Sequence, residues 1–65
     1  MLERYSRVQI ITNRYRSDGV TCGTVGIILD VYDDEAYEVE FFDDDGTSIT
    51  FFSVQRDEVK PVLAT

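Results

Sequence analysis

Sixty-five residues make one small domain, residues 1–65, and a chain of that size buries only about 60% of the surface its unfolded form exposes. A hydrophobic content of 43% with four Tyr and four Phe lies above the range of disordered segments, so the chain folds, on a thin core. A net charge of −7, one cysteine and no histidine exclude an intrachain disulfide and the commonest metal ligand and general base, and they oppose approach to a phosphate backbone.

The amino-terminal Met1-Leu2-Glu3-Arg4-Tyr5-Ser6-Arg7 has no apolar stretch like a signal peptide, and no run approaches the roughly 20 apolar residues of a membrane span. Together with the unpaired Cys22, this leads to the expectation of a reducing, cytoplasmic location.

In chain order, the apolar residues recur with period two. Val8 and Ile10 place a strand near 6–12, and Val25, Ile27, Leu29 and Val31 place a second near 24–32. Tyr37, Val39 and Phe41 mark a third at 36–42, Ile49 and Phe51 a fourth at 47–53, and a fifth is expected at 59–63. β-Branched and aromatic content supports each strand, and intervening Asn, Asp and Gly residues mark the turns. Gly26 makes a bulge or a close backbone crossing possible in the second strand.

Residues opposite each other in an antiparallel pair share a face, so their numbers sum to a constant. If Phe41 and Ile49 both point inward, that constant is 90, Val39 faces Phe51, and the loop is Asp44-Asp45-Gly46, with glycine at the position that needs a left-handed backbone. A two-residue Asp45-Gly46 turn gives 91 instead and pairs Phe41 with Thr50. The first choice puts Val39, Phe41, Ile49 and Phe51 inside, with Glu38, Glu40, Phe42, Ser48, Thr50 and Phe52 outside. Ile28, Asp30 and Tyr32 share the outer face if no bulge intervenes, and Asp30 then lies near Glu38 or Glu40, a like-charge arrangement that needs solvent, a cation or a basic partner.

Catalytic machinery is not evident. Without histidine the obvious Cys or Ser nucleophile arrangements cannot be built, and the carboxylates of Asp33-Asp34-Glu35 and Asp43-Asp44-Asp45 fall at hairpin tips, where nothing encloses a substrate. The second acidic run lacks the alternating ligands of a calcium loop, and Gly23-Thr24-Val25-Gly26 lacks the Lys-Ser or Lys-Thr of a phosphate loop. No metal or cofactor is expected.

The segments Gly23-Thr24-Val25-Gly26-Ile27-Ile28-Leu29-Asp30-Val31-Tyr32, Ala36-Tyr37-Glu38-Val39-Glu40-Phe41 and Asp57-Glu58-Val59-Lys60-Pro61-Val62 resemble a family of small, mostly bacterial proteins known only as a domain of unknown function. The resemblance implies an all-β, strongly bent, SH3-like antiparallel barrel of about five strands, related in pattern to KOW-type modules, with a single helical turn around Gln55 to Glu58. It implies no catalytic residue.

Function is therefore expected to be binding. The leading expectation is a protein-interaction module, in one form self-associating, that uses the outer face of strands two to four: Ile28, Tyr32, Phe42 and Phe52 as apolar anchors, rimmed by Asp30, Glu38 and Glu40. A nucleic-acid-binding module is the alternative, with Arg14, Tyr15 and Arg16 as a basic patch carrying a stacking ring. A third is an acidic, antitoxin-like inhibitor of a basic partner, because nine of the thirteen acidic residues lie between Asp30 and Asp45. The same run also reads as a plain solvated surface.

Overall fold

A computed structural model of the chain describes residues 2–33 and 35–62. Five antiparallel strands form one sheet: β1 (Arg7–Ile10), β2 (Val25–Tyr32), β3 (Ala36–Phe42), β4 (Ser48–Gln55) and β5 (Val59–Pro61). Their order across the sheet is β4-β3-β2-β1-β5, an all-β, SH3-like arrangement. The expected strand limits agree to within about two residues, apart from residue 63 of the last one, which lies outside the described residues. A 3-10 turn at Arg56–Glu58 delivers the chain to β5, where a helical turn was expected, and a second occupies Arg16–Asp18 in the β1–β2 connection.

The third strand is the regular element. Tyr37, Val39 and Phe41 are buried, and the residues between them face the other way, as strict alternation dictates. Val8 and Ile10 of β1, Ile28 of β2, Val54 of β4 and Val59 of β5 complete one core with Val20, which the β1–β2 connection folds back onto it. Leu2, Tyr15, Val31 and Phe52 pack against this core.

Two single-residue bulges decide which side chains reach it. On β2, Val25 to Ile28 pair with Phe42 to Val39, but Asp30 then pairs with Glu38, so Leu29 is the extra residue. Each bulge reverses the parity of everything beyond it. Gly26 and Ile28 therefore point inward before the bulge, and Asp30 and Tyr32 point outward after it. The expectation that Ile28 faces outward is corrected: it is fully buried.

The β3–β4 hairpin shows the same effect more sharply. Its loop is the three-residue one: Asp43 N–H donates to Thr47 O at 2.9 Å, Gly46 N–H donates to Asp43 O at 3.0 Å, and Gly46 has φ +81°. Phe42 pairs with Ser48, on the register constant of 90 expected for that loop. Ile49 is then the extra residue, and from Phe41–Thr50 through Ala36–Gln55 the constant is 91. Both registers coexist, one at the tip and one along the body. In consequence Phe52 and Val54 point inward, while Ile49 and Phe51, expected inside, are 37% and 64% exposed.

Candidate interaction surface

The outer face of the sheet consists of rows that cross the strands, each set by the pairing register. One row runs Arg7, Ile27, Glu40, Phe51 from β1 to β4; the next, toward the β3–β4 hairpin tip, runs Gln9, Val25, Phe42, Ser48. On the other side of the first row come Asp30, Glu38, Ser53 and then Tyr32, Ala36, Gln55. Of the seven residues expected here, Asp30, Tyr32, Glu38, Glu40 and Phe42 do share this face. Ile28 and Phe52 do not, and Ile27 and Phe51 take their places one residue earlier in the chain.

Phe52 instead joins an inner aromatic group, its ring centroid 5.0 Å from Phe41 and 4.7 Å from Tyr15 in tilted geometry. The residues missed from sequence, Ile27, Phe51 and Val25, had one faint signal. The two candidate turns implied two register constants, and the structure uses both.

The like-charge pair foreseen at Asp30 and Glu38 is present as direct cross-strand neighbours. An intramolecular cation relieves it, since Arg4 Nη2 donates to Asp30 Oδ1 at 2.9 Å, and Val31 N–H donates to the same oxygen at 2.9 Å. The Arg4 hydrogen bond, followed by that of Val31, holds the Asp30 carboxyl below its ordinary pKa. Glu38 and Glu40 are held by hydroxyls. Tyr32 Oη and Ser53 Oγ donate to Glu38 Oε1 at 3.2 and 3.1 Å, and Ser48 Oγ donates to Glu40 Oε2 at 2.9 Å. Loss of solvent around its ring, then the Glu38 carboxylate, pushes the Tyr32 phenol above its usual value.

The geometry is that of an aromatic on the edge strand with carboxylates on the neighbouring strand. Phe51 lies in register with Glu40, whose other neighbour in the row is Ile27, and the carboxylates have solvent access. A shallow groove beside this row is lined by Arg7, Val25, Ile27 and Phe42, closed at one end by the Asp43–Gly46 tip.

The alternative patch at Arg14, Tyr15 and Arg16 is divided by the structure. Tyr15 turns inward and its hydroxyl donates to Glu58 Oε1 at 2.6 Å, while Arg14 Nη1 lies 2.8 Å from Glu58 Oε2 as an ion contact. Glu58 is itself buried and caps its own 3-10 turn, with Gln55 N–H donating to Oε1 at 2.8 Å. Burial first, then the Glu58 carboxylate, raises the Tyr15 pKa. Arg14 and Tyr15 thus clasp the β1–β2 connection to the turn before β5, and Arg16 sits exposed in the 3-10 turn beside them.

Among the described residues no group of three or more Cys, Asp or Glu side chains is placed to hold a metal ion, and no helix is long and apolar enough to cross a membrane. The family model described as Domain of unknown function (DUF4926) matches residues 5–61. No curated protein and no solved structure matches the chain.

Proposed function

The chain belongs to the DUF4926 family, a domain of unknown function, and from that premise we propose that it is a non-catalytic protein-interaction module docking through the outer face of β2, β3 and β4. The observation that carries this reading is Phe51, 64% exposed on the outer sheet face next to Glu40, in the row that continues through Glu40 to Ile27. Interface energy concentrates in large aromatics that a partner covers and polar neighbours border. The rim carboxylates add steering toward a basic partner without supplying much affinity themselves.

Site-specific photocrosslinking in cells tests this. A photoreactive phenylalanine analogue at position 51 or 42 is expected to give discrete protein adducts, and the same analogue at position 21, in the exposed β1–β2 connection, is expected to give none. Adducts equal in kind and amount from all three positions, or from none, overturn the docking face.

A further inference from the structure

The sheet has two edges of opposite character. The β5 edge is three residues long and contains Pro61, the two devices by which proteins blunt an edge against pairing. At the other side β4 spans eight residues, Ser48-Ile49-Thr50-Phe51-Phe52-Ser53-Val54-Gln55, with no charge, no proline and no glycine. It pairs with β3 alone, and among the described residues no loop backbone hydrogen-bonds to it; at its last residue the edge is closed, because Gln55 N–H donates to Glu58 Oε1 at 2.8 Å. The bulge at Ile49 twists only its first two residues, because pairing with β3 is regular from Thr50 to Gln55.

A row of unpaired N–H and C=O groups on an uncharged, β-branched and aromatic strand is a template for another strand. We propose that the β4 edge pairs antiparallel with β4 of a second copy of this chain, joining two sheets into one of ten strands. This rests on the reading of the protein as an interaction module and adds a contact of its own, at the edge of the sheet beside the outer face.

Charge decides between a second copy and no association. The net charge of −7 argues against self-association only if the carboxylates meet. Along the paired strands they do not, because β4 carries none and the outer-face carboxylates Glu38 and Glu40 belong to β3; Asp43–Asp45 and Asp57 flank the ends of the strand, with Arg56 between it and Asp57. With strands about 4.8 Å apart, the β3 strands of two edge-paired copies lie about 14 Å from each other. That exceeds the screening length of about 8 Å at physiological ionic strength. Neutral strands line the seam, and the acidic lanes run one strand back on either side.

Parity constrains the seam further. Faces match only if the numbers of opposed residues sum to an even value, so one residue between Thr50 and Gln55 faces its own copy on the two-fold axis. The exposed Phe51 rings then lie on the same side of the joined sheet, within reach of the partner's outer-face residues on β4.

Sedimentation velocity of the full chain from micromolar to millimolar concentration, with amide hydrogen exchange at both extremes, tests the proposal. The expected result is a monomer–dimer equilibrium in which alternate amides between residues 50 and 54 slow on dimerisation, Gln55 being already bonded to Glu58. Phe51→Lys and Ser53→Lys, both at exposed positions, are expected to weaken dimerisation at least about tenfold by placing like charges at the seam. Ile27→Lys, two strands from the edge, is expected to leave it unchanged. Exchange on the unaltered chain stands even if a variant fails to fold. A dimer whose amides at 50–54 stay unprotected, or one that Ile27→Lys abolishes, overturns the edge pairing in favour of face-to-face contact. A strict monomer that still yields a discrete foreign adduct from position 51 overturns it and leaves the docking face standing. A strict monomer without adducts overturns both.

Discussion

At Gly26 of β2 the facing part of β3 leaves no room for a side chain, and Gly26→Ala measures how tightly the sheet is wound there. A methyl group at this position would lie 2.6 Å from Val39 Cγ1, 2.8 Å from Glu40 O and 3.0 Å from Phe41 Cδ1. Ordinary carbon contacts fall at roughly 3.5–4.0 Å, so all three neighbours are too close. The backbone here is not left-handed, so space alone excludes the side chain. Glu40 O is main chain and cannot rotate away, which leaves displacement of β2 as the remaining relief.

Overpacking of this kind costs roughly 1–3 kcal/mol, and the backbone contact places Gly26→Ala at the upper end. The lost flexibility of the unfolded chain returns about 0.4–1 kcal/mol. The net, about 2–3 kcal/mol, is a large share of the total stability of roughly 3–10 kcal/mol expected for a domain of this length. At about 4–8 °C per kcal/mol, the midpoint of a reversible thermal melt followed by circular dichroism is expected to fall by about 10–20 °C. A variant melting within about 2 °C of the parent would refute the close approach of the two strands.

The bulge at Ile49 makes a second prediction, in which neighbouring phenylalanines behave oppositely. Phe41→Ala empties a fully buried site and is expected to cost about 3–5 kcal/mol by urea denaturation, whereas Phe51→Ala, at 64% exposure, is expected to cost under about 1 kcal/mol. Equal losses would show that the register along β4 is wrong. Tyr15 gives a third: its folded pKa is raised above the usual 10.0, so its contribution to stability is complete below about pH 10 and is lost as pH rises through the folded value. The denaturation midpoint of the parent is expected to fall more steeply above about pH 10 than that of Tyr15→Phe, and parallel curves would refute the Tyr15–Glu58 clasp.

Strand positions were legible in the sequence because each strand buries one face, and burial writes itself as alternation. Tyr37, Val39 and Phe41 were placed correctly for that reason, and so was the turn at Asp44-Asp45-Gly46, where loop length and the left-handed glycine constrain each other. Facing was legible only as far as the next bulge. Ile49-Thr50-Phe51-Phe52 contains apolar residues in both parities, so period two alone does not reveal where the inward set changes from odd to even numbers. The same holds for Ile27-Ile28-Leu29 on β2. The candidate surface therefore kept its carboxylates, which β3 positions without a bulge inside its own run, and exchanged two of its apolar members for their neighbours. The Arg14–Tyr15–Glu58 clasp was not legible because it joins residues 43 positions apart through side chains alone.

The pairing of β1 with β5 has a consequence for how such a unit can be carried. Val8 lies opposite Pro61, and Val62 N–H donates to Arg7 O at 3.0 Å, so the chain enters the sheet beside the point where it leaves it. A sheet entered and left at one place can be spliced into a surface loop of a host protein without forcing the host's chain apart. It can also be circularly permuted: a short bridge between residues 7 and 62 and a cut in the Asp44–Gly46 loop, where a side chain on Gly46 would meet nothing within 4 Å, preserve every strand pair. The new ends would then emerge at the acidic tip, beside the groove lined by Arg7, Val25, Ile27 and Phe42. A fused tag or domain would in that form shield the outer face.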